Sequence, residues 1–104
     1  MSPTHRLLRL LAGALSPAGR NAHLSVLIYH RVLAQPDPYR TGDVVEAQFD
    51  WQMALLAREF NVLPLREAAQ RLAAGTLPAR AACITFDDGY RDNLTLAAPV
   101  LQRW

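Results

Sequence analysis

Two rhythms of apolar and polar positions run along this chain. Leu24 to Val32 is apolar and β-branched at its centre, the pattern of a strand covered on both faces as in a parallel sheet. Ala34 to Gly42, carrying Pro36 and Pro38, reads as a loop. Asp43 with Glu46 three residues later has capping-box spacing. Phe49, Met53, Leu56 and Phe60 then recur at spacings of four, three and four, one face of a helix ending near Glu59. Asn61-Val62-Leu63 is a short strand stopped by Pro64. Leu65, Ala68, Ala69 and Leu72 mark a second helix closed by Gly75. Ala81 to Phe86 is another buried-strand pattern, and Leu94, Ala97, Ala98, Leu101 and Trp104 form a last helical stripe. Pro99 either opens a helix starting near Ala98 or kinks a longer one. The order β-α-β-α-β-α predicts an α/β architecture with parallel strands, about three βα units long. A complete barrel of this type takes about 200 residues or more. The expected organisation is a leader over 1–22 and the N-terminal part of a larger domain over 23–104.

The leader centres on Leu7 to Leu15, an apolar run interrupted by Arg9 and followed by a turn at Ser16-Pro17-Ala18-Gly19. It reads as a short amphipathic helix, packed on the body or lying against a membrane surface. A weak signal peptide is the competing reading. No run reaches the roughly 18 to 20 apolar residues of a membrane span, and the compartment stays open between bacterial cytoplasm and cell envelope. Half the chain is hydrophobic, which excludes intrinsic disorder. The 11 arginines are scattered, so no nucleic-acid footprint is formed. A single cysteine excludes an internal disulfide framework, and Cys83, mid-strand, reads as a small buried hydrophobe.

The sharpest chemistry lies at Thr85-Phe86-Asp87-Asp88-Gly89. A buried strand delivers two adjacent carboxylates at its carboxyl end, where α/β sheets and barrels place their active sites. Neighbouring strand side chains point to opposite faces. Both acids serve one site only if the chain turns at Asp88, and Gly89 permits such a turn. Paired carboxylates need a cation or a shared proton, which Asp88 on a divalent metal and Asp87 as general base would satisfy. Spacing alone favours a functional pair but leaves open a turn or helix cap, and it also suits a magnesium site for phosphoryl transfer.

Leu27-Ile28-Tyr29-His30-Arg31-Val32, Phe49 to Leu56, Phe60 to Leu65, Ile84 to Asn93 and Ala98-Pro99-Val100-Leu101 together resemble the start of a polysaccharide deacetylase. This is the NodB-homology family, carbohydrate esterase family four, and the resemblance covers roughly residues 24 to 104. It implies a partial (β/α) barrel of the NodB/glycoside hydrolase-deacetylase type. It also implies a metal-dependent hydrolase of non-peptide C–N bonds that removes N-acetyl, sometimes O-acetyl, groups from a polysaccharide of N-acetylated sugars. By the same resemblance Asp87 is the general base and Asp88 a ligand of a divalent metal, usually zinc. Tyr29 and His30 would support the site, Tyr90 would line the substrate groove, and Gly89 would form the turn.

The departures matter as much. The family completes its metal site with two histidines in a His-Ser/Thr-x-x-His motif downstream of the acidic pair. Here the histidines are His5, His23 and His30, all upstream. The later Arg-Pro-Tyr-type segment has no counterpart either. One carboxylate does not close a zinc shell, so this chain alone is expected to be inert. A non-catalytic remnant that binds carbohydrate or a partner chain is the second reading. Trp51, on a helix beside the core stripe, is expected to pack rather than to platform a sugar. Arg91 and Asp92 are expected to pair, cap or face solvent.

Overall fold

The computed structural model describes Thr4, Arg6, Leu7, Leu10, Leu11 and residues 15–104. The leader reading therefore falls partly outside the described residues, and His5 falls there entirely. The described positions up to Leu15 are helical, and a short 3-10 turn follows at Gly19–Asn21. The strands are β1 (Leu24–Tyr29), β2 (Val32–Leu33), β3 (Val44–Val45), β4 (Asn61–Val62) and β5 (Ala81–Phe86). Helices α1 (Glu46–Glu59) and α2 (Leu65–Ala74) separate them. The chain ends in a helical stretch whose α-helical part is α3 (Ala98–Arg103). The result is a mixed α/β fold. One sheet has the order β1-β5-β4, with β4 and β5 parallel, and a second pairs β2 with β3, also parallel.

Where structure and sequence pattern part, local chemistry explains it. The first strand stops at Tyr29 rather than Val32. Val32 and Leu33 leave the sheet, become buried and pair with Val44 and Val45. That pairing takes Asp43 out of helix capping, and its carboxylate binds Arg40 instead. The start of α1 is capped by Gln48, whose Oε1 accepts the Val45 N–H at 3.2 Å, the side-chain half of a capping box three residues further on. Nor is β1 covered on both faces. Val26 and Ile28, two apart and so on one face, are 44% and 58% exposed.

The chain divides into two compact units. The first comprises residues up to Leu27 together with Leu56–Ile84. Ala22, Ala68, Leu77 and Ala81 form its buried cluster, flanked by Leu24 and Leu63. Only Ala68 of the expected α2 stripe is buried, while Leu65 and Leu72 stay exposed. Gly75 ends α2 in the left-handed region at φ 72°, with Thr76 N–H donating to Arg71 O at 2.9 Å, a Schellman ending. Cys83 is buried and free, and burial raises its thiol pKa, as fits a packing residue.

The second unit comprises Ile28–Leu55 and Thr85–Trp104. Phe49, Met53, Val32, Leu33, Ala97 and Val100 are its buried apolar residues. Each large side chain among them contributes about 1.5–3 kcal/mol of burial. Trp51, expected to pack, is 57% exposed. Two positions from Phe49, it is rotated some 200° around the helix, away from the core stripe. Pro99 opens α3, but the chain before it is already helical. Asn93–Ala97 is wound as a π-helix, with Ala98 N–H bonded to Asn93 O. Proline supplies no N–H and crowds the carbonyl four residues back, and the widened turn accommodates both.

Candidate functional site

Every residue singled out by the sequence for the site lies in the second unit. The carboxyl ends of β1 and β5 are adjacent there, and Asp87 N–H donates to Tyr29 O at 2.9 Å. The main chain therefore brings the acidic turn beside the Tyr-His step. Beneath it, Tyr29, Phe49 and Phe86 form an aromatic cluster. The Tyr29 ring stands edge-on to Phe49 at 5.0 Å and stacks on Phe86 at 5.8 Å, with Phe49 and Phe86 5.9 Å apart. Such pairs contribute about 0.5–1.5 kcal/mol beyond burial. The Tyr29 hydroxyl donates to Gln52 Oε1 at 2.6 Å, and burial raises its pKa. Tyr29 is thus locked as the floor of the site.

Asp87 and His30 face one another above that floor. Their Oδ2 and Nε2 atoms are 3.8 Å apart, and both side chains are about half exposed. Asp88 sits in the left-handed region at φ 69°, followed by Gly89 at 59°. The turn thus begins on Asp88 itself. Aspartate tolerates this conformation better than most residues, and glycine tolerates it freely. An added Cβ at Gly89 would meet nothing within 4 Å, so conformation rather than space asks for glycine there.

Three residues further along, the sequence pattern gave little warning of an anchor. Asp92 is buried, and its Oδ2 accepts from the Arg31 guanidinium at 2.7 and 2.9 Å. Its Oδ1 accepts the Val32 N–H at 3.2 Å. The Arg31 guanidinium also lies 4.7 Å from the centre of the Tyr90 ring, and Arg40 lies 5.5 Å from it. Both guanidinium groups therefore make cation–π contacts with Tyr90. The one hint of Asp92 in the sequence was its expected pairing.

The described residues bring no group of three His, Cys, Asp or Glu side chains together as a metal site. His23 belongs to the first unit, where its backbone oxygen accepts the Ser16 hydroxyl at 3.0 Å. The described chain also has no helix long and apolar enough to cross a membrane.

The chain is similar in structure to IcaB from Ammonifex degensii. The match has a TM-score of 0.67 and 29% identity, and it covers 85% of this chain and 35% of IcaB. The chain thus spans about a third of the length of IcaB. No protein-family profile matches the sequence, and no curated protein does. The likeness to IcaB agrees with the mixed α/β architecture and its parallel strands.

Proposed function

We propose that this chain carries the N-terminal half of a polysaccharide deacetylase site. The observation that carries the reading is the meeting of Asp87 with Tyr29 and His30 at neighbouring strand ends, with the chain turning at Asp88. The likeness to IcaB, a polysaccharide deacetylase, supports it. The substrate class is a polysaccharide of N-acetylated sugars, and the fold is the opening portion of a NodB-type (β/α) barrel.

In this reading Asp87 is the general base. It accepts a proton from the water that attacks the acetamide carbonyl, and His30 faces its carboxylate. Tyr90, in contact with the guanidinium groups of Arg31 and Arg40, would line the substrate groove. Asp88 would be the ligand of zinc or another divalent metal in such a site. Among the described residues it has no set of partners for that task, and a single carboxylate is too small a donor set for zinc. The base at Asp87 is the part of the chemistry that this chain carries by itself.

Titrating the isotopically labelled protein with N-acetylglucosamine oligomers tests the reading. Amide shifts at Tyr29–Arg31 and at 86–90 are expected, and Tyr90→Ala weakens them about tenfold. Acetate release with added zinc stays at background. Shifts confined to other residues, or magnesium-dependent phosphate release, would overturn the assignment.

A further inference from the structure

We propose that Leu7, Leu10, Leu11 and Leu15, which sit at helical positions, form a peripheral anchor that rests on an anionic lipid surface. Leu7, Leu11 and Leu15 follow one another at four-residue steps, and Leu10 lies one turn from Leu7. Side chains at that spacing share one face of a helix. The four are helical and 53–76% exposed, an apolar stripe turned to solvent.

Charge selects what covers the stripe. Residues 1–30 hold Arg6, Arg9 and Arg20 and no acid, while the remaining eight arginines are outnumbered by nine acids. The chain's positive surplus is therefore concentrated in the same stretch as the leucines. A second copy docking here would bring like charges together. A bilayer bearing anionic headgroups accepts leucines below its surface and arginines at it, as interfacial amphipathic helices require. The contact proposed is with the surface of the bilayer, where such helices lie.

The segment is also firmly attached. Immediately after Leu15, the Ser16 carbonyl accepts Arg80 N–H, and Gly19 N–H donates to Leu77 O, both at 2.9 Å. Binding of the leucines to lipid would therefore be transmitted to the first unit through fixed main-chain hydrogen bonds.

Sedimentation of the full chain with vesicles tests the proposal. Vesicles of phosphatidylcholine with phosphatidylglycerol should carry the protein down, with retention falling as salt rises. Phosphatidylcholine alone should bind about tenfold more weakly. Leu7→Ser with Leu11→Ser and Leu15→Ser should cut binding about tenfold or more. The circular dichroism spectrum and melting curve should not change, because these side chains are exposed. Arg6→Gln with Arg20→Gln should weaken binding only to the anionic vesicles. The proposal fails if anionic vesicles do not retain the protein, if binding ignores lipid charge, or if the leucine variant binds undiminished. It fails equally if the leucines drive self-association without any vesicle binding.

Discussion

At the residue scale, the acidic turn depends on one unusual backbone conformation. Asp88 holds φ 69° where most side chains cost about 1–2 kcal/mol. Asp88→Val should lower the unfolding free energy read from urea curves by about that amount, and Asp88→Gly should leave it equal or slightly higher. Asp92 is a larger investment, since its carboxylate satisfies both a guanidinium and a backbone amide. Asp92→Ala leaves Arg31 without that partner and should cost about 3–5 kcal/mol, read by the same unfolding curves. Titration gives a third expectation. Burial raises the Tyr29 phenol and the Cys83 thiol. Both ionise earlier in the unfolded chain, so their stabilisation is complete below the ordinary thiol range near about 8.5. It is lost as pH rises through the raised folded values. Urea midpoints measured from neutral to alkaline pH should fall, and the fall should flatten in a Tyr29→Phe, Cys83→Ala double variant.

At the scale of elements, burial separates side chains that composition alone treats alike. Phe49 is fully buried, so Phe49→Ala should cost about 3–5 kcal/mol. Ile28 lies on the open face of β1, and Ile28→Thr should stay within about 0.5 kcal/mol. Thermal unfolding of the two variants checks the contrast. The same distinction shows what was legible beforehand. The 3.6-residue period of Phe49, Met53 and Leu56 reports a helix with one buried face, and α1 lies where it pointed. The αL glycine after α2 was legible because few residues other than glycine take that conformation readily. The β2–β3 pair was not, because two-residue strands carry no period of their own. The open face of β1 escaped for another reason: an apolar residue looks the same whether or not something packs on it. At the site, Asp87, Asp88 and Gly89 stood out by type and order. The meeting of His30 with Asp87, and the grip of Asp92 on Arg31, join positions about sixty residues apart that no local spacing links.

At the scale of the whole molecule, many large apolar side chains stay exposed. Fourteen large hydrophobic side chains among the described residues are exposed, Trp51, Leu94 and Trp104 among them. The 104-residue chain alone should therefore melt broadly and at low temperature, with light scattering that grows with concentration. A sharp, high-temperature, concentration-independent transition followed by circular dichroism would contradict this. One bond pattern carries a longer consequence. A single carboxylate on the helical stretch after the acidic turn clasps both Arg31 and the amide of Val32, the two residues that follow His30. That helical stretch is thereby tied to the backbone that directly follows His30. If the proposed function holds, a sugar chain pressing on Tyr90 would act through Arg31 on the residue next to His30. On the proposed reading, occupancy of the groove and the alignment of Asp87 with His30 would then be linked mechanically.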